Sequence, residues 1–496
     1  MQDLRVAVGD DPFLAAGANG APSYNLGLLS AGPDPGIFET LTQLTPDFGV
    51  AGGLALRWES PDPATWRFFL RPGVTFHNGA PFNAAAVVST LETVAKRQTR
   101  PRGLDPGAAT ATADDVVEVH LSMPNARLPE QLANPTMAMV APGTSAGAGP
   151  DPATTATGTG PFRFDSYSAK NLLKVVANDH WWGGKPQLSS ITFRFGPESD
   201  ASRLLATRQV ELVGQVAYES LAKVSGRTDH PVASPPARPT YLLLNTGGID
   251  QWTTLKDDAV RKAIELALDR RAVARMGWPD DGDPSDTLIP PQVLGSAADR
   301  VRLPGTDPAA AGHLLDQAGW TAGPDGVRTK DGRPLSLSLM LARPPEEKAA
   351  ADELVAELGR VGITVSVTDP SPDSPFVRVN NATYDLFLTT SAQDDANPCA
   401  LCRFFSIRPG GQLTYSGTVG GGPKADDLFD TAYAAPSIDT ARRTAADLMQ
   451  VVTVDRVTAI PLATLRTEWL VSPRVQGFTA TPLGGAQTWD RVYLTP

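Results

Sequence analysis

The chain is poor in the residues that most often carry metal and redox chemistry. Its 496 residues include two cysteines and five histidines. The histidines, His77, His120, His180, His230 and His313, lie far apart in sequence. A closed tetrahedral zinc site needs four ligands, and one Cys-x-x-C supplies half of them. No protein-held metal is therefore expected. Long apolar runs are also missing: nothing approaches the ~18 consecutive apolar residues of a membrane-crossing helix. Basic charge is in deficit, with 43 Lys and Arg against 54 Asp and Glu and a net charge of −11. Nucleic acid is held by a basic face that displaces counterions from phosphates, so an acidic chain with a pI near 5 argues against that class. The Walker loop, H-E-x-x-H and G-x-G-x-x-G patterns do not occur. The acidic pairs Asp257-Asp258 and Glu346-Glu347 stand at expected helix starts, where the helix dipole favours acids. No catalytic residue and no cofactor are expected, and the chain is read as a binding protein rather than an enzyme.

What is present is a long chain of ordinary globular composition, 41% hydrophobic and 20% charged. That length is too great for one ordinary core and implies two or three domains. Glycine and proline, 45 of each, are spread along the chain, which implies long punctuated connections rather than a disordered tail. Residues 4–8 read as a strand and 36–44 as a helix-like apolar stretch. A strand follows from Trp66, a turn at Pro72-Gly73, a second short strand at 74–77 and a turn at Asn78-Gly79. Asn83 is placed to cap a helix over 84–95. Gly79 and Gly160 are expected in turns that need positive φ.

Farther along, Val260, Ala263, Ile264, Ala267 and Leu268 share one face of a predicted helix over 257–271. Arg261 would then lie on its solvated or ion-paired face. Helices are expected over 307–318 and 346–361, and strands over 335–341, 363–367 and 384–389. This alternation predicts an α/β lobe with a mostly parallel sheet in the C-terminal half. The N-terminal part reads as mixed and hairpin-rich.

Cys399 and Cys402 stand in Asn-Pro-Cys-Ala-Leu-Cys-Arg. A redox pair should open a helix after a strand, whereas here a proline precedes and the flanks are irregular. A local structural disulfide is favoured over a redox-active pair, and it implies an oxidising compartment. The chain passes from Met1-Gln2-Asp3 straight into a strand, as a chain trimmed of an export signal would.

Six blocks in order then carry a resemblance. Trp66-Arg-Phe-Phe-Leu-Arg-Pro-Gly-Val-Thr-Phe-His-Asn-Gly-Ala-Pro is similar to W-x-F-x-L-R-x-G-V-x-F-H-D-G-x-P. Gly158-Thr-Gly-Pro-Phe, Asn178-Asp-His-Trp-Trp-Gly-Gly-Lys-Pro, Leu244-Asn-Thr, Val260-Arg-Lys-Ala-Ile-Glu-Leu-Ala-Leu-Asp-Arg and the segment from Asp307 to Trp320 follow. Together they resemble the peptide/nickel family of ABC-transporter solute-binding proteins, over nearly the whole chain. Taken as structure, Trp181 and Trp182 read as core or subdomain contacts rather than ligand stackers.

The resemblance implies an α/β, bilobal, periplasmic-binding-protein-like fold of the large three-subdomain type, with a ligand cleft between lobes. Lobe I would span 1–240, completed by 471–496, with an inserted subdomain at about 35–155. Lobe II would span 241–470. Crossings near 238–246 and 462–472 would form a hinge. The implied partners are a di- or oligopeptide-like ligand and an ABC permease in the membrane, for an extracytoplasmic monomer. A metal chelate or an oligosaccharide is the alternative cargo.

A zwitterionic peptide needs a cation for its carboxylate and an anion for its ammonium. The resemblance places the cation at Arg343, in Leu341-Ala-Arg-Pro-Pro. It places the anion at Asp394, in Gln393-Asp-Asp-Ala-Asn-Pro, with Asp395 a second carboxylate beside it. Both segments follow strands, at the usual ligand edge of an α/β sheet. The structural alternatives are a surface arginine before a helix and an aspartate in an Asx turn. Cys399 and Cys402 would stiffen a loop that the family usually leaves unbridged. Residues 391–422 hold no histidine, while Arg97, Arg100 and Arg102 offer a basic set for a carboxylate-rich metal chelate.

Overall fold

The structure is a computed structural model that describes residues 2–8, 15–16, 22–23, 35–97, 100–143, 156–196, 203–214, 229–279, 282–368, 375–391, 396–406, 420–481 and 489–496. The chain divides into two compact units. The first comprises Met1–Pro235, Asp394–Asn397 and Arg466–Pro496, and the second Pro236–Gln393 and Pro398–Leu465.

The first unit contains a seven-stranded sheet in the order Phe162–Ser168, Leu172–Ala177, Ser190–Phe195, Asp3–Val8, Leu212–Gly214, Glu468–Val471 and His230–Ala233. Asp3–Val8 runs parallel to both of its neighbours. The strand from the far end of the sequence, Glu468–Val471, is wholly buried. Its Trp469 packs edge-on against Trp489, which meets Phe193 at 5.6 Å.

A four-stranded antiparallel sheet, in the order Ala55–Asp62, Thr65–Leu70, Val116–His120 and Ala109–Ala113, belongs to the same unit. The alternation of Thr65–Leu70 buries Trp66, Phe68 and Leu70. The outward Arg67 is paired with Glu59 and Glu118 across the neighbouring strands. The helix Ala84–Ala95 starts as expected, with the Asn83 side chain accepting from the Ala86 N–H at 3.1 Å.

Two expectations fail in this unit. Residues 36–44 are not helical: 35–41 run without regular structure, and Thr42–Leu44 pairs antiparallel with Val50–Gly52. A short run buried on all sides has no readable period, and its carbonyls are taken from outside. Ile37 O accepts the Gly160 N–H and Gly36 O the Phe162 N–H. The second short strand at 74–77 reduces to one bridge, Thr75 to Pro81.

The second unit holds a six-stranded sheet in the order Gly282–Pro284, Ala459–Leu465, Arg238–Leu244, Leu386–Thr390, Ser336–Leu341 and Thr364–Thr368. Only the last three strands are mutually parallel; the other pairings are antiparallel. This corrects the mostly parallel sheet expected from sequence. The helix Pro344–Arg360 provides the crossover that a parallel pair requires. Arg238–Leu244 and Ala459–Leu465 meet from opposite ends of the unit, and local alternation carries no information about strand direction.

The helix expected over 257–271 is two helices, Asp258–Ala267 and Arg270–Gly277. Leu268 is extended between them, and Asp269 caps the second through the Ala272 N–H. Of the two faces expected for Arg261 the ion-paired one is found, with Asp258 at 2.8 Å, but it is not solvated. Arg261 is 6% exposed, and it donates to the carbonyls of Leu255, Lys256 and Arg456 and to the Asp258 carboxylate. A guanidinium can satisfy several buried carbonyls at once, so the residue binds chain segments rather than water. Ile264, Leu315, Leu339, Leu354 and Ile460 belong to one continuous core here.

Candidate functional site

Three of the sequence blocks converge in the first unit. Gly158 and Gly160 lie against the 36–38 backbone, where an added Cβ would stand 2.1 Å from Ile37 O and 2.2 Å from Gly36 O. Gly79 does take positive φ, at 84°, but Gly160 does not. Glycine is needed at 160 for close approach rather than for a left-handed turn. His77 N–H donates to Gly158 O, and Asn178 Nδ2 to Gly160 O at 3.1 Å.

At the centre sits Glu39, 9% exposed. It accepts from Trp182 Nε1 at 3.0 Å, Trp181 Nε1 at 3.3 Å and Thr159 Oγ1 at 2.8 Å. Burial pushes its carboxyl up to about 7, against those hydrogen bonds and the charge of Arg71. Arg71 lies 3.8 Å over the Trp182 ring. Both indole N–H groups and one indole face are thus occupied, so Trp181 and Trp182 serve as subdomain contacts. Glu39 was missed in sequence. Its only signal is a lone acid in the apolar run around Ile37, Phe38 and Leu41.

The second unit places Arg343 two residues beyond the strand Ser336–Leu341, as the N-cap residue of Pro344–Arg360. Its side chain makes no cap bond and is half exposed, 3.5 Å from the Glu346 carboxylate. Pro344 and Pro345 occupy the first helical positions and bring no N–H. The next two N–H groups, of Glu346 and Glu347, both donate to Arg343 O. Among the described residues the backbone at this helix start therefore has no spare donor for an anion, and the Arg343 guanidinium can supply one. Leu386–Thr390 runs parallel beside Ser336–Leu341, with Ala342 N–H donating to Leu388 O. The strands Ser336–Leu341 and Leu386–Thr390 thus end at the same sheet edge, the first of them two residues before Arg343. Asp394 and Asp395 themselves lie outside the described residues.

Residues 49–410 match bacterial extracellular solute-binding proteins, family 5 middle. The chain belongs to that family. The glutathione-binding protein GsiB of Salmonella paratyphi A is 28% identical over 312 residues, which is 61% of this chain and 59% of that protein's length. The nickel-binding periplasmic protein of Escherichia coli K12 is 27% identical over 371 residues, 71% of this chain and 69% of that protein. The crystal structure of NikA from Brucella suis in complex with Fe(III)-EDTA superposes with a TM-score of 0.82 at 23% identity. It covers 99% of this chain and 100% of that one, a likeness of fold. The α/β solute-binding-protein fold expected from the sequence is the fold found.

In this solute-binding protein the basic set of 97–102 is engaged locally. Arg97 Nη1 donates to Thr136 O at 2.7 Å, and Arg100 pairs with Asp105 at 3.2 Å. Arg102 is buried, and its carbonyl receives the Asn125 amide. Among the described residues no group of three or more His, Cys, Asp or Glu could hold a metal. No helix there is long and apolar enough to cross a membrane.

Cys399 and Cys402 form the expected disulfide, and both are fully buried. The turn Leu401–Phe405 follows, and Phe405 O receives the Gly421 N–H at the start of the helix Gly422–Ala434. A G-x-S-x-G spacing also occurs, Gly143-Thr-Ser-Ala-Gly147. Its serine lies outside the described residues, and the residues before it, 138–142, form no strand. The strand-to-helix turn that gives that pattern its chemistry has no strand to start from.

Proposed function

We propose that this solute-binding protein is the extracytoplasmic capture subunit of an ABC importer, and that its ligand is a small peptide or peptide-like acid. In this reading the ligand carboxylate meets Arg343, and its ammonium meets Asp394 or Asp395. The lobes 1–240 with 471–496, and 241–470, close on it as a monomer about the crossings near 238–246 and 462–472. The closed form then docks on a membrane permease.

The observation that carries this reading is the Arg343 segment. A half-exposed guanidinium stands at the carboxyl edge of the sheet, 3.5 Å from an acid one helical turn away. The proline pair after it removes the backbone as a competing anion binder. A glutathione-binding relative is consistent with a peptide carrying carboxylates. A second reading, a metal chelate, draws on the nickel-binding relative. It too would rest on carboxylates meeting arginine, since the five histidines are scattered. A neutral oligosaccharide needs no paired opposite charges and fits least well.

Calorimetry and thermal shift with glutathione, alanine peptides, nickel–histidine and a neutral oligosaccharide separate these readings. Binding of glutathione or a peptide is expected, with the melting temperature rising on saturation. Stabilisation by the metal complex or the oligosaccharide, with none by any peptide, would overturn the peptide reading.

A further inference from the structure

Beneath Arg343 lies a carboxyl group that the helix itself does not require. Glu347 is 1% exposed. One oxygen, Oε2, accepts the Arg343 backbone N–H at 2.8 Å. The other, Oε1, is buried and has no hydrogen-bond partner among the described residues. A buried, half-satisfied carboxyl is costly, and an apolar residue would fill the same place without that cost.

Capping by an N-cap side chain does not explain it. A typical N-cap side chain accepts from the second or third helical N–H. Here the cap residue is an arginine, and the two prolines leave little for a cap to satisfy. Glu347 instead reaches back to the N–H of the cap residue, as the return half of a capping box does. Its hydrogen bond falls on the backbone N–H of Arg343, and the Ala342 N–H beside it also favours the carboxylate.

We propose that Glu347 is the positioning residue for Arg343: it fixes the backbone from which the guanidinium reaches the carboxylate of a bound ligand. This rests on the reading that Arg343 binds ligand. Among the described residues, the charged groups acting on Glu347 are Arg343 and Glu346. Burial pushes the Glu347 carboxyl up to about 7; the Arg343 N–H bond opposes that and the Glu346 charge adds to it. A ligand carboxylate on Arg343 adds another negative charge nearby. Binding then takes up a proton at Glu347, and affinity for carboxylate ligands falls as pH rises through this range.

The test uses the full chain, S-methylglutathione as probe, and the variants Glu347→Gln, Glu347→Ala and Arg343→Ala. Glu347→Gln keeps an oxygen for the Arg343 N–H and cannot ionise; Glu347→Ala loses both properties. Calorimetry should show wild-type affinity falling roughly threefold to tenfold between about pH 6 and about pH 8. Glu347→Gln should bind with the wild-type acid-side affinity at both, and Glu347→Ala roughly tenfold more weakly at both. The Arg343 amide resonance should titrate in the wild type and not in Glu347→Gln.

Two results would overturn the positioning role while leaving Arg343 in the site: Arg343→Ala weakening binding when Glu347→Ala does not, or wild-type affinity that is flat with pH. Arg343→Ala binding like wild type, or a probe that does not bind at all, would overturn the ligand reading beneath it.

Discussion

Trp182 donates its indole N–H to both carboxylate oxygens of Glu39, at 3.1 and 3.0 Å. One buried acid thereby joins the Trp181-Trp182 block and, through Thr159, the glycine-rich block to the 36–41 segment. Glu39→Ala leaves two indole N–H groups without this acceptor. It should lower the stability of the first unit by about 1–3 kcal/mol. Urea denaturation followed by tryptophan fluorescence would register it, and an unchanged midpoint would remove Glu39 from this role.

The buried acids also set the direction of pH dependence. Burial raises Glu39 and Glu357 to about 7 and Glu265 to about 8, above the ordinary 4.5. A group whose folded value lies above its unfolded value contributes full stability below the unfolded value and loses it as pH rises through the folded one. The protein should therefore unfold at lower urea at about pH 8.5 than at about pH 5.5. A Glu39→Gln, Glu265→Gln double variant should show a smaller difference. A midpoint that rises with pH over this range would contradict the assignment.

Gly158 and Gly79 should respond differently to alanine. At Gly158 the new Cβ meets the Ile37 carbonyl at 2.1 Å, so backbone must move. At Gly79 the space is open, and only the positive φ of 84° resists. Gly79→Ala should cost about 1–2 kcal/mol, the scale of a left-handed backbone for an L residue. Gly158→Ala should cost more and lower soluble yield. Equal melting temperatures for the two variants would refute the close-approach explanation.

The disulfide closes a very short loop, three residues apart in sequence. Loop-closure entropy for so short a span gives about 2 kcal/mol. Cys399→Ser with Cys402→Ser should therefore melt several degrees lower than the oxidised protein. Because the disulfide is fully buried, a mild reductant that leaves the chain folded should release no thiol for labelling, and labelling of the native chain after such reduction would contradict that burial.

At the candidate ligand site, Arg343→Ala and Asp394→Ala should each weaken peptide binding by more than about 2 kcal/mol, the scale of removing one partner of a desolvated charge pair. Glu346→Gln should strengthen it by roughly 0.2–1 kcal/mol, since on the proposed reading a ligand carboxylate competes with Glu346 for Arg343. Calorimetry decides each case. Unchanged affinity in both alanine variants would remove these residues from the site.

Local chemistry was readable in the sequence wherever the determinants lie within a few residues. Asn83 caps its helix as expected, the alternation at Trp66 buries alternate residues, and Cys399 and Cys402 pair across two intervening residues. The family, too, was readable, because its signature is an ordered series of short blocks. Arg343 could be placed at a strand end, but the proline-blocked helix start and the buried Glu347 behind it could not be foreseen.

The tertiary structure decided what depends on distant partners. The apolar run at 36–44 forms no helix, because N–H groups of distant segments, Gly160 and Phe162 among them, take its carbonyls. The strands Arg238–Leu244 and Ala459–Leu465 became antiparallel neighbours although more than two hundred residues separate them. Arg261, Glu39 and Glu347 look like surface charges in one dimension. Arg261 is enclosed with Arg456, and Glu39 with Thr159, Trp181 and Trp182, all remote in sequence, and an apolar periodicity cannot register a charge that the fold encloses.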